Sequence, residues 1–120
     1  MINRIAPIIL AILCALPGTS HAAAPERILS LGLCADWLLA HHADRAHVVA
    51  LSQMQRRYPI DWIGPEWPSH DGSLEQIIAL RPDLVLAGQF SATQLRQRLE
   101  SLGVEAQVLP LPRTLQQVVE

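Results

Sequence analysis

Cys34, His41, His42 and His47 crowd one short stretch of the chain, and they are residue types that hold zinc. Their spacing argues against that use. Neighbouring residues of a helix point about 100° apart, so His41 and His42 cannot both face one metal without distortion. They read instead as solvated or capping histidines near a helix end. Cys34, between Leu33 and Ala35, reads as a small buried residue rather than a reactive thiol. No Gly-x-Gly-x-x-Gly opens a helix, and neither a phosphate-binding loop nor a Gly-x-Ser-x-Gly elbow occurs. No catalytic residue, metal ligand or cofactor is therefore predicted, and the chain reads as a binding protein rather than an enzyme. Two other readings compete with that one: a zinc- or manganese-binding transport protein using its histidines, and a small secreted α/β enzyme.

Tyr58, Trp62 and Trp67 offer a different chemistry. They gather in "QMQRRYPIDWIGPEWPSHDG", a stretch rich in Pro and Gly. Exposed aromatic rings suit a large, flat, partly apolar ligand. Their competing use is to pack the loop onto the rest of the fold.

The elements around these residues follow from the pattern of apolar positions. "RILSLGL" from Arg27 reads as a buried strand stopped by Gly32. "CADWLLAHHAD" follows as a helix with Leu38, Leu39 and His42 at helical spacing, and "AHVVALS" is a second short strand. After the aromatic stretch, Ser73 and Gln76 form a capping box for a helix whose buried face is Leu74, Ile77, Ile78 and Leu80. Pro82 ends that helix by pushing Arg81 out of the α region. "DLVLAG" is a continuous apolar strand, as expected where both faces are covered. Ser91 and Gln94 cap the next helix, with Leu95, Leu99 and Leu102 inward and Gly103 at its C′ position. "VEAQVLPL" is a further strand, and Thr114 with Gln117 opens a last helix. Alternation of this kind predicts an α/β fold, a doubly wound parallel sheet forming a single Rossmann-like lobe. In such sheets ligands bind outside the carboxyl ends of the strands, which is where the aromatic stretch falls.

Composition narrows the partners. The chain of 120 residues suffices for one modest domain. Its net charge is −2, it has no lysine, and its arginines form no stripe, so the footprint of nucleic-acid binding is missing. "MINRIAPIILAILCALPGTSHA" has an early arginine, an apolar run too short to span a bilayer, and small residues before Ala22. It reads as a cleavable signal peptide over 1–22, placing the mature protein outside the cytoplasm. Cleavage removes Cys14 and leaves Cys34 alone, so no internal disulfide forms.

The run "RILSLGLCADWLLA…VVALS…SLEQIIALRPDLVLAG…LESLGVEAQVLPLPRTLQQV" resembles the N-terminal lobe of periplasmic substrate-binding proteins of ABC importers for cobalamin, ferric siderophores and haem. "SLEQIIALRPDLVLA" carries the resemblance most specifically. It implies two α/β lobes joined by a rigid interlobe helix, of which residues 23–120 supply only the first. The chain would thus be a fragment lacking the second lobe. It also implies a periplasmic monomer with a metal-chelate ligand and contact with the membrane only through the importer's permease. Glu75 stands where such proteins present a carboxylate to permease arginines. The ligand contacts would come from Gly32–Cys34, Ser52–Tyr58, Trp67–Asp71 and the turn after "DLVLAG". Leu33, Cys34, Met54, Tyr58, Trp67, Gln89 and Phe90 are the candidates there, and Trp62 joins them as a ligand-binding candidate from the aromatic stretch. Trp37 stands where a glutamate is common in the family.

Overall fold

In the computed structural model, residues 22–119 are described. The expected signal peptide lies outside these residues, except for Ala22.

Four short parallel strands form the centre: β1 (Ile28–Ser30), β2 (Val48–Ala50), β3 (Leu84–Gly88) and β4 (Glu105–Leu109). Their order across the sheet is β2-β1-β3-β4, with every pairing parallel. Helices α1 (Leu33–His42), α2 (Met54–Arg57), α3 (Leu74–Ala79), α4 (Thr93–Ser101) and α5 (Gln116–Val119) lie between and after them.

Side chains of a strand alternate between faces, so each strand feeds two layers. Leu29, Val85 and Ala87 meet Ile77 of α3 and Leu99 of α4 in one apolar cluster. Leu86 and Val48 meet Ala35 and Leu39 of α1, together with Ile63, in another. The sheet is therefore covered on both sides, which is the predicted doubly wound lobe.

Several inward faces differ from expectation. In α1 the buried positions are Ala35, Asp36 and Leu39, while His42 is exposed. In α3, Ile77 is buried but Ile78 is exposed, because a helix of six residues has room for little more than one inward row. Leu102 is also exposed, at the end of α4. The aromatic stretch is more ordered than its composition suggests. It contains α2, and Ser69 makes a parallel bridge with Leu51 that prolongs the sheet beyond β2.

The capping signals divide. Ser73 Oγ accepts from Gln76 N–H as predicted, but the Gln76 side chain reaches back to Asp71 N–H rather than to Ser73. Thr114 Oγ1 accepts from Gln117 N–H. Ser91 does not cap α4, which starts two residues later behind Ala92 in the left-handed region at φ 48°. Gly103, at φ 84°, closes α4: Val104 N–H reaches Leu99 C=O and Gly103 N–H reaches Glu100 C=O, a Schellman pair.

The abrupt joint between α3 and β3 is a clamp. Arg81 adopts φ 49° and Pro82 follows, so the helix cannot continue. The Arg27 guanidinium, at the start of β1, donates to Leu80 C=O and Arg81 C=O, filling orphan acceptors of the helix end. Asp83 answers from the other side, accepting from Glu26 N–H at 2.9 Å and Arg27 N–H at 3.0 Å. Arg-Pro-Asp thus fastens α3, β3 and β1 at one corner.

Candidate ligand-binding site

The chain leaves β1 toward β2 on one side and leaves β3 toward β4 on the other. The loops after β1 and β3 therefore diverge, opening a crevice at the carboxyl ends of the two central strands. A cavity of about 500 Å³ sits there. Four segments line it: Leu31–Cys34 after β1, Ser52–Met54 after β2, His70 and Gly72 before α3, and Ser91, Ala92 and Leu95 after β3.

Close packing at the seam depends on two glycines. A Cβ on Gly32 or on Gly88 would stand 3.0 Å from Ser91 Oγ. Ser91, which does not cap its helix, instead lies between the backbones of the two diverging loops.

A buried polar layer supports the cavity. Asp36 is fully buried in α1 and accepts from Ser52 N–H at 2.7 Å and Ser52 Oγ–H at 2.6 Å. Burial pushes its carboxyl above the usual aspartate range, while hydrogen bonds from Ser30 and Ser52 pull it back. The Ser52 hydroxyl also accepts from Met54 N–H, which starts α2. His70, only 2% exposed, joins the loop before α3 to β1. Its Nε2 lies 2.7 Å from Ser30 C=O, and its Nδ1 accepts from Gly72 N–H at 3.0 Å. A carbonyl only accepts, so Nε2 carries the proton and the ring is neutral. Ser30 Oγ closes the turn by bonding to Gly32.

The predicted site residues fall into separate places. Leu33, Cys34 and Met54 line the cavity together. Cys34 is exposed at its wall rather than buried in the core, because it occupies the first turn of α1 on the open side. Tyr58 is exposed beyond α2, with the Arg57 guanidinium 5.8 Å from its ring. Trp62 packs edge-on against Trp37 at 6.1 Å and near His41 at 5.3 Å. Trp67 is half-buried against the α1 layer, with Arg45 5.0 Å over its ring, and lines a different groove. Gln89 and Phe90 form the exposed tip of the β3–α4 loop, while the adjacent Ser91 and Ala92 reach the cavity. The three aromatics of the long loop thus do not converge on one rim. Leu33, Cys34, Trp37 and Ile60 form a shallow apolar recess beside the cavity, sharing two of its residues. Glu75 is exposed in the first turn of α3.

Among the described residues no three His, Cys, Asp or Glu side chains converge as a metal site requires. His41 and His42 are exposed, and their rings pack against Trp37. Also among the described residues, no helix is long and apolar enough to cross a membrane.

Ser30, Asp36, Ser52 and His70 were not singled out by sequence reasoning, although Ser52 and His70 fall in the contact stretches that the family resemblance implied, and Ser91 was read only as a helix cap. One signal was available for Asp36: it is the lone charge in "LSLGLCADWLLA", where an apolar strand and helix surround it. Nothing local marks His70, whose partners on β1 are distant in sequence.

The described residues form an α/β lobe with a cavity at the rim of its sheet, and solved structures share that fold. The chain is similar to a protein of Staphylococcus epidermidis ATCC 12228 described as a possible iron-binding (periplasmic solute-binding) protein, at 20% identity and TM-score 0.63. That match covers 79% of this chain and 38% of the other. It is also similar to a periplasmic heme binding protein from Pseudomonas aeruginosa, at 22% identity and TM-score 0.57 over 78% of this chain and 34% of that one. The chain thus spans little more than a third of the length of these solute-binding proteins. No protein-family model and no curated protein matches it.

Proposed function

We propose that the chain is the first lobe of a periplasmic substrate-binding component of an ABC importer. It captures a metal chelate, haem, a ferric siderophore or cobalamin, and hands it to an inner-membrane permease without catalysing a reaction. The observation that carries this reading is the cavity at the divergence of β1 and β3, in a fold shared with periplasmic solute-binding proteins. Its volume falls within the roughly 300–1,000 Å³ of small-molecule sites. Leu33, Cys34 and Met54 contact the ligand in the cavity, with Gln89 and Phe90 at the tip of the adjoining β3–α4 loop, while Tyr58, Trp62 and Trp67 stand apart from it.

Glu75 is the docking residue for the permease. A carboxylate in the first turn of a helix is favoured by the helix dipole, and Glu75 is free to meet a cationic partner.

Two measurements test the proposal. Tryptophan emission of the purified chain, titrated with haem, a ferric hydroxamate and cobalamin, is expected to quench saturably with one of them. Binding of none would sink the reading. In cells, Glu75→Arg in the working importer is expected to reduce uptake about tenfold by turning an attractive contact into a like-charge one, with ligand affinity unchanged. Unchanged uptake would remove Glu75 from the interface.

A further inference from the structure

We propose that His70 is a proton-operated latch that holds one wall of the cavity closed while its ring is neutral and releases that wall in acid. The inference starts from the two ring nitrogens. Nε2–H donates to Ser30 C=O at the end of β1, and Nδ1 accepts from Gly72 N–H two residues along its own loop. The ring therefore has no spare nitrogen, and each bond requires a particular protonation state. Adding a proton at Nδ1 leaves the Ser30 bond intact but turns the acceptor facing Gly72 into a second donor. Two N–H groups then point at one another.

The released segment is placed to respond. Gly72 sits at φ 84°, a conformation that glycine tolerates without a further restraint. It lines the cavity beside His70 and lies against the Gln53 side chain, so its movement alters the wall directly. Downstream, Ser73 N–H is held only by Asp71 Oδ1, from within the same turn. The other end of the loop stays fixed, because His70 N–H pairs with Leu51 C=O and Leu51 N–H with Pro68 C=O. Asp71 N–H stays bonded to the Gln76 side chain and Ser73 Oγ to Gln76 N–H, so the loosening centres on Gly72.

Two carboxylates interact with the ring, Asp36 from α1 and Asp71 from its own loop. β1 offers only Ser30, and the β2 loop only Ser52 and Gln53, none of them titratable. Cys34 of α1 lines the same cavity, and Glu75 of α3 borders the next groove along Gly72. Among the described residues no arginine lines the cavity. The latch is independent of which ligand the cavity takes.

Backbone amide exchange and nitrogen NMR on the purified chain test the latch between about pH 8 and about pH 5, the interval over which imidazoles change charge. The protection factor of Gly72 N–H is expected to fall about tenfold toward acid, the loss of one ordinary hydrogen bond. That of Leu31 N–H, which pairs with Leu86 C=O inside the sheet, is expected to hold steady. His70→Asn places a non-titrating oxygen where Nδ1 was, and should keep Gly72 protected at both ends of the range. His70→Gln places an amide where Nε2 was, and should leave Gly72 unprotected throughout. Ring nitrogen shifts of the wild type, which need no variant to fold, should report the Nε2–H tautomer at the upper end and imidazolium at the lower. A ring still neutral in acid would overturn the proposal. So would a pH-dependent Gly72 amide in His70→Asn, or a wild-type Gly72 that stays protected.

Discussion

Asp36 and Ser52 are joined twice, backbone N–H to Oδ1 at 2.7 Å and hydroxyl to Oδ2 at 2.6 Å, with both residues buried. The pair ties α1 to the end of β2 directly beneath the cavity. Replacing Ser52 by alanine leaves one oxygen of a buried carboxylate without its hydroxyl donor and removes the acceptor for Met54 N–H. The expected cost is about 1–3 kcal/mol in urea unfolding. A loss under about 0.5 kcal/mol, the scatter of ordinary surface substitutions, would show that the layer is not under tension.

The two perturbed aspartates predict opposite pH dependences. Burial, chiefly, holds Asp36 above its ordinary value of 3.8, so the folded state favours its protonated form. Its stabilising contribution is complete below that value and is lost as pH rises through the raised one. Hydrogen bonds from Ser73 hold Asp71 below 3.8, so its contribution is present above that value and lost as pH falls through the lowered one. Unfolding curves of Asp36→Asn should therefore gain on the wild type as pH rises just above 3.8. Those of Asp71→Asn should gain on it as pH falls below that point. Parallel curves for wild type and variants would contradict both assignments.

Arg27 and Asp83 act as one corner, the first on the carbonyls of Leu80 and Arg81, the second on the amides of residues 26 and 27. The site is exposed, so each alanine substitution should cost only about 1 kcal/mol. A double-mutant cycle should nevertheless give a coupling of about 0.5 kcal/mol or more, because both act on the same short segment. Strict additivity would mean that the corner is two independent contacts.

Two positions test backbone conformation without disturbing packing. Gly103→Ala, at φ 84° with open space around the missing Cβ, should cost about 1 kcal/mol through conformation alone. Arg81→Gly, at φ 49°, should relieve left-handed strain of about 1 kcal/mol, offset in part by the freer unfolded chain. Thermal melts of the two proteins should move in opposite directions.

The layered fold was legible because its signals are local. Continuous apolar strands, Ser73 and Thr114 as caps, and Gly103 as a helix stop each depend on a few neighbouring residues, and each is found as read. Ser91 misled because the same residue types that cap helices also fill tight seams, and here the seam between Gly32 and Gly88 took it. Ile78 and Leu102 misled because short helices offer too few inward positions for every apolar residue at the right spacing. Part of the cavity was within reach: Leu33, Cys34 and Met54 follow strand ends, where ligand sites of such sheets form. The buried polar layer was not, since the Ser30–His70 and Asp36–Ser52 pairings join residues far apart in the chain. No periodicity or motif reports such pairings.

β4 has a single neighbour, β3, and carries exposed side chains along most of its length. Its outer backbone groups, with Val108 and nearby Leu111 and Leu115 uncovered, form an adhesive border guarded by one charge, Glu105. An unpaired border of this kind is a template for pairing with another strand, so light scattering of concentrated protein is expected to rise and a second charge placed at Val108 to lower it.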